Sequence, residues 1–436
     1  MYYRFFYASN MLTIQYIREN RDRLIEGLGV KNFKQPDLID KIIERDNDRR
    51  SLQVQTNDLQ AELNKLSKEI GQLYKTGQQE KANQTKDLTT KIKLELESFE
   101  HDLQKAGDEL NEWLVQIPNV PHHSVPGGNS EADNKFIREG GTKPELQVGA
   151  MPHWELGTKY NIIDFDLGVK ITGAGFPVFR GLGARLQRAL ISYFLDHNTS
   201  AGYEEVLPPL LVNEDSGFGT GQLPDKEGQM YHVTADNLYL IPTAEVPVTN
   251  LYRNVILKAD ELPIKNTAFT ACFRREAGSY GKDVRGLNRV HQFDKVEIVQ
   301  IQHPSNSYAA LDEMVKHVEQ LVINLGLPYR IVQLCGGDLS FTSALTYDFE
   351  VYAAAQDKWL EVSSVSNFES YQANRLKLRF KETGEKRTQL AHTLNGSALA
   401  LPRIVAAILE NNQTPEGIRI PEVLHKYMGP GNEIIT

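Results

Sequence analysis

Cysteine is almost absent from this 436-residue sequence, which contains only Cys272 and Cys335. The two residues are far apart and fit no metal-ligand spacing, so neither a disulfide framework nor a zinc site is expected. This usage favours a reduced, cytoplasmic setting. Long hydrophobic runs are lacking too. The sequence contains no stretch of about 18 apolar residues, the length that a helix needs to span a bilayer. We therefore expect no membrane partner.

The N-terminus lacks the features of a secretory signal, because residues 1–7 are too few and too aromatic. We interpret residues 1–10 as an N-terminal extension before an alternative start at Met11. An excess of positive charge is also missing, since the net charge is −9. Proteins that bind phosphate backbones normally carry excess Lys and Arg, so any nucleic-acid partner would need a local basic patch.

A length of 436 residues, of which 40% are hydrophobic and 24% charged, indicates a globular protein with two or more modules. Two heptad patterns predict that the first module, residues 11–120, contains an antiparallel helical hairpin. About a dozen polar residues near Gly77 are expected to join its helices, each of about 35 residues and roughly 50 Å long. The first pattern comprises Leu52, Leu59, Leu66 and Leu73 with Ile42, Leu63 and Ile70; the second comprises Ile92, Phe99, Ala106 and Trp113 with Leu96, Leu103, Leu110 and Ile117.

Charge on the predicted hairpin is uneven. Residues 65–93 contain seven lysines and three acidic residues, whereas residues 95–109 are acidic. A charged run of this kind is usually the solvated surface of a coiled coil. A basic tip that binds a phosphate backbone is the alternative, and the hairpin sequence by itself leaves both open.

The second module, residues 121–436, follows a Gly/Pro-rich stretch and alternates short β-like runs with amphipathic helices. We predict an α+β fold with a mainly antiparallel sheet flanked by helices, because strands joined by a hairpin loop cannot be parallel neighbours. The expected elements include a helix over 182–194, strands over 267–275 and 290–302, and a helix over 308–325.

Polar residues with chemical potential lie on the two predicted strands. A period of two places Arg274 with Glu276 on one face of the first strand, and Phe293 with Lys295 and Glu297 on one face of the second. Between them runs a loop with glycines and basic residues. A surface hairpin with crossed ion pairs would show the same pattern. The loop residues are Gly278, Gly281 and Gly286 with Lys282, Arg285 and Arg289, and His291 belongs to the second face.

These segments resemble the second signature motif of class II aminoacyl-tRNA synthetases in its seryl, bacterial-type form. Four further segments resemble other parts of this family, and they occur in the expected order. Residues 273–278 with 291–297 resemble the second motif, 202–209 the first, 394–397 with 403–411 the third, and 242–245 and 361–364 further seryl-type segments.

The resemblance implies a serine pocket formed by Thr243, Ala244, Glu245, Glu297 and Ser397. An ammonium group needs carboxylates and a hydroxyl needs a short polar partner, which these residue types supply. A site that hydrogen-bonds the serine hydroxyl rejects alanine, and a small pocket excludes threonine. Ser397 could instead cap the helix that follows it.

For ATP, the resemblance implies Arg274 on the α-phosphate, Arg403 towards the γ-phosphate, Glu276 and the Val290 backbone near adenine, and Phe293 stacked on the ring. Phe293 could instead be a core residue. Arg274, Glu297 and Arg403 are the expected catalytic residues. The remaining expected ATP contacts are Arg275, Glu361, Val362, Ser363 and Ser364.

Glu361 and Ser364 resemble the pair that binds Mg²⁺, for which hard oxygen ligands are suitable. Because three positions along a strand lead to opposite faces, the strand must end or bulge near Ser363. Two departures from the family pattern occur in the third motif, Ala398 and Pro402, where glycine is common. Proline is tolerated only in the first turn of a helix, so the register of Arg403 depends on where that helix begins.

The resemblance further implies a homodimer whose coiled-coil arm grips tRNA(Ser), and it extends to tRNA(Sec) in an organism that has one. The basic loop from Lys282 to Arg289 is then suited to the acceptor end of the tRNA. Two rival functions are an amino-acid ligase for a carrier protein and a non-catalytic tRNA-binding paralogue. The predicted arm argues against the first, and intact Arg274, Glu297 and Arg403 argue against the second.

Overall fold

A computed structural model of the chain describes residues 12–277 and 285–436. The predicted extension 1–10 and Met11 lie outside the described residues, as do Gly278, Gly281 and Lys282 of the basic loop. The chain divides into two compact units: the described part of residues 1–29 with 33–118, and residues 30–32 with 119–436. None of the described helices is long and apolar enough to cross a membrane.

The helices follow one another along both units. They are α1 (Ile14–Glu19), α2 (Arg21–Val30), α3 (Asp37–Lys75), α4 (Gln79–Leu114), α5 (His153–Lys159), α6 (Phe165–Ile171), α7 (Gly181–Ser200), α8 (Glu214–Thr220), α9 (Glu245–Asn250), α10 (Ser307–Asn324), α11 (Tyr371–Leu376), α12 (Leu401–Asn411) and α13 (His425–Met428).

The strands belong to the second unit. They are β1 (Lys135–Gly140), β2 (Ile163–Asp164), β3 (Val178–Phe179), β4 (Glu204–Glu205), β5 (Leu211–Val212), β6 (His232–Val233), β7 (Leu238–Leu240), β8 (Ile256–Lys258), β9 (Ile264–Phe273), β10 (Gln292–Gln302), β11 (Tyr329–Gln333), β12 (Leu345–Ala353), β13 (Lys358–Asn367), β14 (Arg379–Lys381), β15 (Thr388–Leu390), β16 (His392–Ala400), β17 (Gln413–Thr414), β18 (Gly417–Arg419) and β19 (Ile434–Ile435).

The first unit is dominated by the hairpin of α3 and α4. Near its base Arg45 Nε lies 2.7 Å from a carboxylate oxygen of Glu109, and near its tip the Tyr74 hydroxyl donates to Asn83 Oδ1 at 3.1 Å. These contacts confirm the predicted antiparallel pairing. The predicted linker of about a dozen residues is wrong, because helix continues through the polar residues and only residues 76–78 separate α3 from α4.

The predicted seams match the packing of the hairpin. Leu52, Leu59, Leu66 and Leu73 are each half-buried among exposed neighbours on α3. On α4, Ile92, Leu96, Ala106 and Leu110 are buried. A narrow apolar stripe on each helix, covered by the other helix, stabilises an element whose remaining surface is mainly polar, with exceptions such as Val54 and Leu94.

An eight-stranded sheet organises the second unit in the order β1-β11-β12-β13-β16-β10-β9-β4. Its pairs are antiparallel except for the edge pair of β4 and β9, which is parallel. Helices α7, α10 and α12 pack on the sheet and close the core, which confirms the predicted α+β fold. Core residues include Leu190, Phe194, Met314, Val318, Ile404, Ile408, Val296, Ile298, Ile331, Phe349 and Val365.

The predicted helices over 182–194 and 308–325 correspond to α7 and α10, and the predicted strands to β9 and β10. One boundary matters for the chemistry. Strand β9 ends at Phe273, so Arg274 and Glu276 follow the strand and do not share a strand face as predicted. Glu276 has a φ of 50°, which shows that the chain has already left the extended conformation.

Candidate active site

The candidate site lies where β9, β10, β16 and β13 are neighbours in the sheet. The ladder sets Glu297 of β10 opposite Ala268 of β9 on one side and Ser397 of β16 on the other. Ser397 is therefore an interior strand residue, and its alternative role as a helix cap is wrong because α12 begins only at Leu401. Pro402 occupies the first turn of α12, where its missing N–H has no helical partner to lose.

A buried polar cluster forms the floor of the predicted serine pocket. Lys295 Nζ lies 2.5 Å from Glu297 Oε2 and donates to the Thr243 hydroxyl at 2.8 Å, while that hydroxyl donates to Glu297 at 3.1 Å. The side chains of Lys295 and Glu297 are only 6% and 1% exposed. These contacts confirm that Lys295 and Glu297 share a strand face. The positive charge of Lys295 is balanced by the negative charge of Glu297.

A second carboxylate, Glu245, stands beside this pair at the start of α9. Gln372 Nε2 donates to Glu245 Oε1 at 2.6 Å, and the Thr393 hydroxyl donates to Gln372 Oε1 at 2.7 Å, which fixes the orientation of the amide. Burial and the negative charge of Glu297 together raise the pKa of Glu245 to about 7. Lys295 forms its ion pair with Glu297, whereas Lys295 and Arg274 act on Glu245 only at longer range, so the pocket is suited to one more cation beside Glu245.

Ala244, the remaining predicted serine-pocket residue, is fully buried and precedes α9 directly. Its backbone leads the chain from Thr243, which is 4% exposed, into Glu245. The Glu245 amide donates to the Thr243 hydroxyl at 3.2 Å. The 243–245 segment is thus held by its own hydrogen bond as well as by the strand beneath it.

The ends of β9 and β10 carry the predicted nucleotide residues. Arg274 donates from Nε to the Pro242 carbonyl at 3.3 Å, and its guanidinium carbon lies 5.4 Å from the centre of the Phe293 ring. Phe293 is half-buried, so it is not the core residue that the alternative required. Glu276 accepts from Arg289 Nη1 at 2.8 Å. Cationic and aromatic groups therefore meet at this end of the sheet.

Arg403, in the first turn of α12, spans two segments of the site. Its Nε donates to the Asn288 carbonyl at 3.1 Å and its Nη1 to the Glu361 carbonyl at 2.6 Å. Two backbone carbonyls thus fix the orientation of the Arg403 guanidinium.

Two other predicted ATP residues lie nearby in the sequence of the site. Val290 is buried just before β10, and the Arg275 amide donates to the Gln229 carbonyl at 2.9 Å.

The predicted irregularity in β13 is confirmed. In the ladder with β12, Ser363 is opposite Phe349 but Glu361 is opposite Glu350, which leaves buried Val362 without a partner in this register. This bulge compensates for the odd spacing of Glu361 and Ser364. Their partners Glu350 and Asp348 are two residues apart on β12, so Glu361 and Ser364 lie on one face.

The chemistry of this face fits Mg²⁺. Asp348 is buried, accepts from the Ser364 hydroxyl, and has one carboxylate oxygen without a hydrogen-bond partner among the described residues. Burial and the charge of Glu361 raise the pKa of Asp348 well above its ordinary value. Oxygen donors with uncompensated negative charge are the ligand set of a hard cation. Ser363 instead turns inward and donates to the Ser397 carbonyl at 2.5 Å.

Sequence reasoning missed four residues of the site. Lys295 was placed on the correct face without a role, and Gln372, Thr393 and Asp348 were not identified. Gln372 lies on α11 and Thr393 on β16, far from Glu245 along the chain. Their contribution depends on tertiary contacts alone, and no local motif indicates it.

Comparisons with known proteins agree with this geometry. Residues 11–121 match the family described as seryl-tRNA synthetase N-terminal domain, and residues 231–412 match the tRNA synthetase class II core domain (G, H, P, S and T). A serine–tRNA ligase of Salinibacter ruber is 48% identical over 96% of this chain and 98% of that protein. A serine–tRNA ligase of Chlorobaculum parvum is 47% identical over 96% and 99%.

A solved structure has the same fold over nearly its whole length. The crystal structure of seryl-tRNA synthetase from Pyrococcus horikoshii complexed with ATP superposes with a TM-score of 0.90 at 33% identity. The match covers 96% of this chain and 98% of that one.

Proposed function

The chain belongs to the seryl-tRNA synthetase family and joins serine to tRNA at the expense of ATP, and on this premise we propose which residues perform each part of the reaction. Glu245 and Glu297 bind the serine ammonium, and Thr243, Ala244 and Ser397 complete the pocket around the small side chain. The observation that carries this proposal is the pair of buried carboxylates, of which Glu297 is ion-paired with Lys295 while Glu245 accepts only from the neutral amide of Gln372 among the described side chains. The relatives favour neither the carrier-protein ligase nor the non-catalytic paralogue.

The ATP contacts are proposed on the adjoining sheet end. Arg274 binds the α-phosphate and Arg403 the γ-phosphate, because planar guanidinium groups match phosphate oxygens. Phe293 stacks on adenine, and Glu276 and the Val290 backbone contact its edge. Mg²⁺, when bound by Glu361 and Ser364, supplies neutralisation of phosphate charge. Arg275, Val362 and Ser363 shape the backbone around these groups.

The chemistry needs no general base, since a serine carboxylate is ionised at neutral pH. Its oxygen attacks the α-phosphorus, the bond to the β-phosphate breaks, and pyrophosphate leaves with seryl-adenylate formed. Arg274 and Arg403 stabilise the negative charge that spreads over the phosphates, and the pocket holds the carboxylate in line. In the second step a terminal ribose hydroxyl of the tRNA attacks the adenylate and releases AMP.

The remaining parts of the proposal concern partners. The arm, residues 11–120, holds tRNA(Ser) for the catalytic domain, residues 121–436, and the basic residues Arg285 and Arg289 meet the acceptor end. A homodimer, tRNA(Sec) as a second substrate, and a cytoplasmic setting belong to the same proposal. The free cysteines Cys272 and Cys335 are compatible with reducing conditions.

The test is exchange of labelled pyrophosphate into ATP with serine, threonine, alanine or glycine. We expect exchange with serine alone, and a serine KM at least about tenfold higher in Glu245→Gln, since a hydrogen bond to a charged group contributes about 1.5–3 kcal/mol. The ATP KM should change less than about twofold in that variant. Glu382→Gln, which alters a hydrogen bond with His303 beyond the site, is the matched control. Equal effects of the two substitutions on the serine KM would refute the pocket assignment.

A further inference from the structure

Glu410, in the last turns of α12, is a fully buried carboxylate that the proposed chemistry does not use. Its Oε1 accepts from the His153 amide at 3.0 Å, from His153 Nδ1 at 2.7 Å and from Gln356 Nε2 at 2.8 Å. Its Oε2 accepts from the amides of Ala355 at 3.1 Å and Gln356 at 3.2 Å. Five donors compensate for the desolvation of this charge, so both of its oxygens are fully committed.

The hydrogen bonds around His153 fix the tautomer of its ring. The Leu287 amide donates to His153 Nε2 at 2.8 Å, and a backbone amide can only donate. Nε2 therefore carries the lone pair and Nδ1 carries the hydrogen, which points to Glu410. The carboxylate orients the imidazole, and the imidazole in turn holds the backbone at Leu287, three residues before Val290.

A second branch runs from Glu410 through Gln356. Because the Gln356 amide nitrogen donates to Glu410, its oxygen faces Asn288, whose Nδ2 donates to it at 2.8 Å. The carbonyl of the same Asn288 accepts from Arg403 Nε. Residues 287 and 288 are thus connected to Glu410 by two routes, through His153 and through Gln356, and the second leads to the Arg403 guanidinium assigned to the γ-phosphate.

The same carboxylate also holds the turn that joins β12 to β13, through the amides of Ala355 and Gln356. Its neighbour Asn411 accepts from the Ala354 amide at 3.0 Å and donates to the Tyr352 carbonyl at 2.6 Å. Strand β13 carries Glu361, whose carbonyl is the other acceptor for Arg403. The segment 287–288 and the turn before β13, which lead to the two carbonyls that accept from Arg403, are therefore both held by Glu410.

We propose that Glu410 is a positioning residue for ATP, acting through His153 and Gln356 on the backbone of Leu287 and Asn288 and on Arg403. It touches no substrate. The proposal rests on the proposed assignment of Val290 and Arg403 to ATP. Because Glu245 and Glu297 receive no contact from this network, serine binding is independent of it.

The test compares KM values for ATP and serine in pyrophosphate exchange by the full-length enzyme. Glu410→Gln keeps the shape but sets an amide NH₂ against existing N–H donors on one side or the other. We expect the ATP KM to rise at least about tenfold while the serine KM changes less than about twofold. Glu319→Gln, a carboxylate that pairs with Arg138 elsewhere in the unit, should change neither value by more than about twofold. A merely structural defect would raise both KM values or lower only the amount of active enzyme.

Gly286→Ala perturbs the same network from the other end and keeps the test decisive if Glu410→Gln fails to fold. A methyl group there would lie 2.2 Å from His153 Nε2, at a residue whose φ is 67°. The ATP KM should rise in this variant as well, and the double variant should show less than the product of the two effects, since both disrupt one network.

An ATP KM unchanged in Gly286→Ala and in folded Glu410→Gln, or a serine KM that rises equally, would overturn the inference. Arg403→Ala, measured in parallel, distinguishes a wrong ATP assignment from a wrong positioning role for Glu410. If Arg403→Ala also leaves the ATP KM unchanged, the ATP assignment itself has failed and the inference fails with it. If Arg403→Ala raises the ATP KM and the network variants do not, only the positioning role is wrong.

Discussion

The ionisation of the Glu245 carboxyl group should make serine binding depend on pH. In the folded protein its pKa is raised to about 7 by burial and by the charge of Glu297, so below that pH the group is largely neutral. A neutral carboxyl attracts an ammonium group poorly. Serine bound at Glu245 must therefore displace the proton, and its apparent affinity rises with pH until the group is ionised.

We expect the serine KM to fall by up to about tenfold per pH unit as pH rises towards 7, and to level off above it. Titration calorimetry at pH 6.5 in buffers of different ionisation enthalpy should show proton release on serine binding. Glu245→Gln should abolish that release. A release that persists in the variant would assign the proton to another group.

The position of a residue in the site could be predicted from the sequence when it depends on local strand geometry, and not when it depends on contacts with distant segments. Strand period placed Lys295 and Glu297 on one face correctly, because the geometry is local. It extended the same rule wrongly to Arg274 and Glu276, since the strand ends at Phe273. The resemblance supplied roles for many residues but none for Gln372, whose contact with Glu245 is made by the tertiary fold.

The hairpin of α3 and α4 is the element whose surface charge should matter most. Its seven lysines between residues 65 and 93 are all exposed. If they meet a tRNA backbone, replacing all seven by Gln should raise the tRNA KM for serylation at least about tenfold and make it less dependent on salt, because fewer counterions are released. Pyrophosphate exchange should be unchanged.

The seven-fold Lys→Arg variant is the control for this experiment, since it keeps the charge and a similar helix propensity. It should retain the tRNA KM within about threefold. Should the Gln variant charge tRNA normally, the lysines would be a solvated coiled-coil surface, the alternative reading of the same pattern.

Elements differ in how far their sequence determined them. The seven-residue repeat was sufficient for the hairpin because each helix needs only the other to cover its stripe. The length of the connection was not predicted, since polar residues such as Gln78 to Lys93 suit a helix surface as well as a loop. The bulge at Val362 could be inferred only because two expected ligands stood an odd number of residues apart.

At the scale of the whole molecule, a group of exposed apolar side chains is a candidate surface for the homodimer proposed above. Leu207, within the segment 202–209 that resembles the first family motif, is 85% exposed, and Leu210 and Leu211 just after it are 38% and 41% exposed. Contiguous exposed leucines are costly in water unless another surface covers them.

We expect Leu207→Glu to shift the protein from dimer to monomer in sedimentation velocity and to reduce serylation. Val148→Glu, at a fully exposed apolar residue outside that segment, should leave the dimer intact. A dimer that withstands Leu207→Glu would place the interface elsewhere.

The uneven charge of the serine pocket has one more consequence. Lys295 is ion-paired with Glu297 and not with Glu245, so the free enzyme has room for one more cation beside its eight-stranded sheet. Serine fills that place, and a ligand at a hundred times its Kd adds about 2.7 kcal/mol to the free energy of unfolding. The concentration of free serine in the cell would therefore also set the conformational stability of the enzyme. In serine starvation the protein loses its substrate and part of its free energy of unfolding together.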